Sequence, residues 1–169
     1  MQLSNKSGRT RRYWQMSYSM ESTLGDESKL SSFDWNRDLL IEFGKQLSKF
    51  GNTSKLPLAI AIYLEDVRIF QQFLEGTSAT NEIWIQRKIN TVRATNHSTL
   101  FTRAVMDQGA YQELNLKNHF GELAICGGGI PIHKNNEIYA VVIVSGLPHE
   151  EDHNLIMSQF EKFRNENER

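Results

Sequence analysis

Two short apolar runs, Leu58–Leu64 and Ile138–Val144, constrain this chain more than any other feature. Both are rich in β-branched residues and too short for an ordinary helix, so each reads as a buried strand. Each has a partner across a tight polar turn. Glu65-Asp66 leads from the first run into Val67–Leu74, and Lys134-Asn135-Asn136-Glu137 joins Ile130–His133 to the second. Turns this short give antiparallel hairpins. A further strand is expected at Glu122–Cys126, broken from Ile130 by Gly127-Gly128-Gly129.

Helical patterns fill the rest. Asp34 can cap a helix running to about Phe50, with Trp35, Leu39, Phe43, Leu47 and Phe50 on one side and Gly51-Asn52 at its end. Thr80 or Asn81 can cap a second helix reaching about Asn96, with Ile85, Ile89 and Val92 on its inner face. Residues 98–110 read as a short helix, 111–120 carry no clear pattern, and Ile156, Phe160 and Phe163 mark a last helix. The order predicts an α/β (α+β) fold, an antiparallel sheet of about five strands flanked by helices.

The 169 residues suit one domain, expected over residues 31–169. Residues 1–30 are expected to be a disordered basic tail: Lys6, Arg9, Arg11 and Arg12 meet no acid before Glu21. A transit peptide or an alternative start at Met16 or Met20 also fits that pattern. The net charge of -1 argues against a nucleic-acid partner. No stretch of roughly 20 apolar residues is present, so no membrane insertion is expected. A single cysteine rules out an intrachain disulfide, and a cytoplasmic location is expected.

Three segments can carry chemistry. Trp84-Ile85-Gln86-Arg87-Lys88 sets paired cations beside an aromatic ring, suited to a carboxylate, phosphate or propionate, or simply to a solvated helix face. Cys126-Gly127-Gly128-Gly129 is either an anion-cradling bend or a close backbone crossing. His149-Glu150-Glu151-Asp152-His153 matches H-E-x-x-H literally and puts two imidazoles at i, i+4, the spacing of a metal-ligand pair. Pro148 places that string in the first turn of its helix, where acids favour the dipole. A metal-dependent hydrolase therefore ranks last. His97 sits at a helix C-terminus, a favourable place for histidine without any function.

Asn81, Trp84-Ile85, Arg87-Lys88, His97-Ser98, the glycines before Pro131, Ser145-Gly146-Leu147 and Asp152-His153 occur in an order that resembles the haem-degrading-domain family. Its relatives include GlcG and HbpS, and the likeness is to its uncharacterised UPF branch. The resemblance spans about Phe33 to Phe163. It implies a profilin-like, GlcG-like fold, homo-oligomers, and binding of haem or another small anionic ligand, with a metal ion as a further cofactor candidate. On that reading Trp84, Arg87, Lys88, His97, Cys126, Gly127, Gly128, Asp152 and His153 are ligand-binding candidates; the metal pair, His149 with His153, rests on the helical spacing alone. No catalytic residue is implied. Cys126 stands where the branch usually has histidine, and His149 where relatives commonly have glutamine. The alternative expectation is a non-enzymatic structural or interaction module in a chaperone-linked assembly.

Overall fold

The computed structural model describes residues 18–110, 114 and 121–168. Helix α1 (Met20–Ser32) and α2 (Arg37–Thr53) precede a hairpin of β1 (Ala59–Leu64) and β2 (Val67–Phe73). Helices α3 (Ala79–Thr95) and α4 (Thr99–Asp107) follow, then a hairpin of β3 (Gly129–Lys134) and β4 (Glu137–Ser145), and α5 (His149–Asn167). The sheet runs β2-β1-β4-β3 with every pairing antiparallel. The turn into β4 uses Asn135 and Asn136, both at positive φ (54° and 63°), the geometry a two-residue hairpin loop requires.

Both faces of the sheet are covered, so the central strands read as continuous apolar runs rather than alternating ones. Ile60, Ile62, Val142 and Val144 pack against α2 and α5 through Phe43, Leu47, Ile156 and Phe160. Ala59, Ala61, Val141 and Ile143 face α3 through Ile85, Ile89 and Val92. A ring cluster of Phe33, Trp35, Phe43, Phe160 and Phe163 closes the first layer, with Trp35 stacked on Phe163 at 5.5 Å. Among the described residues no helix is long and apolar enough to cross a membrane.

The structure departs from the sequence expectations in four places. The sheet has four strands, not five, because Glu122–Cys126 is not a strand of it. The backbone of this segment bonds to α3 side chains: Thr91 Oγ1 accepts from Ala124 N and donates to its carbonyl, and Asn90 donates to the Glu122 carbonyl. The expected tail through residue 30 contains α1, capped by Ser19, with Leu30 fully buried. Helix α1 shows little apolar periodicity because its anchors include polar residues: Thr23 and Glu27 are both buried. The basic positions Lys6 to Arg12 lie outside the described residues. The caps are Asn36 for α2 and Ser78 for α3, each slightly displaced from expectation. Gly51 does not end α2 but lies within it, where a Cβ would meet Leu74 at 2.5 Å and Leu58 at 2.8 Å.

Candidate functional site

Helix α3 begins with a capping box in which Ser78 and Asn81 satisfy each other's backbone amides. From that N-terminus, Asn81, Trp84 and Lys88 run along one side of the helix, as i, i+3, i+7 spacing dictates. The β4–α5 turn, Ser145-Gly146-Leu147, lies opposite. Gly146 has φ 145°, and a Cβ there would strike the Pro57 carbonyl, so only glycine lets the turn pass so close to the start of β1. His149 and Asp152 come from the first turn of α5. These segments and Cys126 enclose a pocket of about 540 Å³, lined also by Ser78 and Thr80.

Lys88 and Asp152 form its floor. Their side chains are 2% and 3% exposed, and Nζ stands 2.9 Å from Oδ2. Nζ also donates to the Val144 carbonyl at 2.7 Å, and Asp152 Oδ1 accepts from Leu147 N at 2.9 Å. One ion pair thus ties α3, the end of β4, the turn and α5 together. A charge pair this deep is stable only when its geometry and remaining hydrogen bonds are good. Burial pushes the Asp152 carboxyl above its ordinary value, against the pull of Lys88 and the Leu147 and Gly146 amides.

The glycines of Cys126-Gly127-Gly128 serve close approach. A Cβ on Gly128 would lie 2.5 Å from Lys88 Nζ and would clash with the Val144 carbonyl, and its φ is 114°. A Cβ on Gly127 would collide with the His149 carbonyl. Two amides of this bend already have partners: Gly127 N donates to His149 Nδ1 at 3.4 Å, and Gly129 N donates to Thr99 Oγ1 at 3.0 Å. Gly127 and Gly128 therefore set the shape of the wall; neither lines the pocket.

Cys126 and His149 line it, the first held as a thiol and the second as a neutral imidazole. Burial pushes the Cys126 thiol up, with Lys88 pulling the other way and Asp152 adding to the rise. Burial, and then the charge of Arg103, pushes His149 down, so its ring is neutral near pH 7. A neutral ring that accepts at Nδ1 carries its proton on Nε2.

The remaining candidates lie elsewhere. Arg87 points away from the pocket, ion-paired with Glu122 and with Cζ 5.2 Å from the centre of the Trp84 ring. His97 Nδ1 is 3.0 Å from Glu27 Oε2, and the same carboxylate accepts from Ser98 N at 2.6 Å. His153 is fully buried and meets Asp26 Oδ2 through Nε2 at 3.0 Å, while its Nδ1 has no partner. Adjacent acids of α1 thus grip two histidines on different elements, and His97 and His153 fasten α1 rather than line the pocket. The expected pair of His149 and His153 is split: one ring is bonded to the Gly127 amide, the other to α1. Among the described residues no group of three or more His, Cys, Asp or Glu is placed to hold a metal ion. Sequence reasoning missed Ser78 and Thr80 as lining residues; the cap of α3 is the signal that finds them. Nothing in the sequence pointed to Asp26 or Glu27.

The family model described as haem degrading protein HbpS-like matches residues 36–161. A UPF0303 protein of Psychromonas ingrahamii is 32% identical over 143 residues, which is 83% of this chain and 89% of that protein. A UPF0303 protein of Brucella canis is 35% identical over 130 residues, covering 72% and 73%. The crystal structure of Ybr137w superposes with a TM-score of 0.72 at 24% identity, over 88% of this chain and 89% of the other. The crystal structure of a PduOC:heme complex gives 0.59 at 13%, over 76% and 94%. At these identities the two crystal structures establish the fold alone.

Proposed function

This chain belongs to the HbpS-like family, in its UPF0303 branch, and on that premise we propose that it binds a small ligand in the pocket between α3, Cys126 and the β4–α5 turn. One observation carries the reading. Four of the nine ligand-binding candidates chosen from sequence, Trp84, Lys88, Cys126 and Asp152, line this one cavity although they come from three separate segments. Its volume, about 540 Å³, is that of a typical small-molecule site. The first turns of α3 and α5 both line it, and Ser78, Thr80, Asn81 and His149 offer polar groups for hydrogen bonds to a ligand. Charge recognition by a free cation does not contribute, because Arg87 lies outside and Lys88 is paired with Asp152.

Haem is the group named in the family's description, and neither donor that faces the pocket is poised to ligate its iron as the structure stands. Ligation by Cys126 would require loss of a thiol proton that burial holds more tightly than usual, and ligation through His149 Nε2 would give up the 3.4 Å bond from the Gly127 amide. The pocket suits the organic body of such a ligand, held by contact and hydrogen bonds. The proposal is therefore one of binding, with no reaction step. Self-association and a cytoplasmic setting belong to the same proposal; Val67 and Ile83 are exposed apolar residues, outside the pocket, that an assembly can cover.

The test is a titration with haemin and, in parallel, metal-free protoporphyrin IX, followed by absorbance. Thr80→Trp serves as control, filling the mouth from an exposed lining position. Saturable binding of both compounds, lost in Thr80→Trp, supports the reading. Binding of neither, or binding indifferent to Thr80→Trp, overturns it. Binding of haemin alone, abolished by His149→Ala, overturns the account of the iron.

A further inference from the structure

Trp84 is 37% exposed. One side of it borders the 540 Å³ pocket. Arg87, one turn further along α3, lies over the ring at 5.2 Å. The guanidinium is itself held by Glu122, whose carbonyl accepts from Asn90 Nδ2 at 3.1 Å. Arg87, Glu122 and Asn90 line a separate shallow depression of about 330 Å³ that Trp84 does not line. The cation expected to meet an anionic ligand therefore stands behind the indole.

We propose that Arg87 is a positioning residue: lying over the Trp84 ring and paired with the largely exposed Glu122, it biases the ring toward its place as a wall of the pocket, which selects a ligand with a flat conjugated face. The inference rests on the binding reading above and specifies the ligand class for that site. An exposed indole has two rotatable bonds, and freezing them on binding weakens affinity. Arg87 biases the ring before the ligand arrives. The string Trp84-Ile85-Gln86-Arg87-Lys88 then has a division of labour. Trp84 is the wall, Ile85 the core contact, Arg87 the support of the wall and Lys88 the floor.

A double-mutant cycle with metal-free protoporphyrin IX as the probe separates support from direct contact. Arg87→Gln weakens binding about two- to tenfold, the range set by freeing one side chain. Trp84→Leu weakens it by about tenfold or more, as loss of a stacking platform does. In the Trp84→Leu background, Arg87→Gln has no further effect, because there is no ring left to position. Glu122→Gln acts in the same direction as Arg87→Gln. Unfolding midpoints of all variants are measured alongside, and the surface positions of Arg87 and Glu122 predict little change. Equal weakening by Arg87→Gln in both backgrounds means direct contact with the ligand and overturns the proposal, as does no weakening at all. A saturated aliphatic carboxylate that binds as tightly as the porphyrin, in the same Thr80→Trp-sensitive site, overturns the flat-ligand part and leaves the pocket reading intact. A wild-type protein that binds no probe, or binds it irrespective of Thr80→Trp, removes both.

Discussion

Replacing Lys88 with methionine removes the cation from the pocket floor while keeping most of the side-chain volume. Lys88 is 2% exposed and donates to both the Val144 carbonyl and Asp152 Oδ2, so its removal takes two buried hydrogen bonds with it. Asp152 keeps its bonds from the Leu147 and Gly146 amides but loses its counter-charge. Breaking one side of a buried pair costs about 3–5 kcal/mol, a large part of the roughly 5–15 kcal/mol that holds a domain of this kind. The cost depends on pH. Burial already raises the Asp152 carboxyl above its ordinary 3.8, and removing Lys88 removes the largest opposing influence. The native state then binds this proton more tightly than the unfolded chain does. Stability therefore falls as pH rises from about 3.8 through the native value, and recovers on acidification. Urea unfolding at a series of pH values from about 4 to 7.5, beside the wild type, is the assay, read as a midpoint at constant slope. Lys88→Met loses several kcal/mol at the highest pH and visibly less at the lowest. The double variant Lys88→Met/Asp152→Leu regains most of the loss, because no buried charge is left alone. A loss below about 1 kcal/mol, unchanged by pH and not restored in the double variant, refutes the reasoning.

Other consequences follow from single contacts. Gly128→Ala loses several kcal/mol in urea unfolding, since its Cβ meets Lys88 and the Val144 carbonyl at φ 114°, whereas Gly25→Ala, with open space around its Cβ in α1, gains about 0.5–1 kcal/mol. Glu27→Ala frees both His97 and the Ser98 amide and costs about 1–3 kcal/mol, with faster amide exchange at the start of α4 as its local signature. Cys126 reacts with iodoacetamide more slowly at neutral pH than a free thiol, its rate still climbing above about pH 9, and Lys88→Met slows it further because Lys88 is the influence that favours the thiolate. A Cys126 that alkylates at the free-thiol rate near neutral pH contradicts the burial argument.

The sheet was legible in the sequence where hydrophobic pattern and turn chemistry agreed. The runs around Ile60 and Val142 are fully apolar because helices cover both faces, and Asn135-Asn136 is a turn that declares itself. Pattern failed where side chains replace backbone as hydrogen-bond partners. Leu123-Ala124-Ile125 has the composition of a strand, yet Thr91 satisfies both backbone groups of Ala124 and holds the segment on α3. It failed again at α1, whose docking depends on Asp26 and Glu27 finding His153 and His97, contacts more than sixty positions apart that no local window contains. The site was half legible. Helical spacing puts Trp84 and Lys88 on one side of α3, but it cannot tell that Arg87 would turn outward to Glu122. The paired histidines 149 and 153 share a helix side as spacing requires, and tertiary partners nonetheless divide them.

The chain's single cysteine makes the most direct test of the pocket possible. Cys126 lines the pocket, so a ligand seated there shields its thiol. The measurement is the alkylation rate of Cys126, by mass spectrometry, with and without saturating protoporphyrin IX. The account predicts strong protection in the wild-type protein and none in Thr80→Trp. Saturable binding of the porphyrin with an unchanged Cys126 rate contradicts it, placing the ligand somewhere other than between α3, Cys126 and the β4–α5 turn.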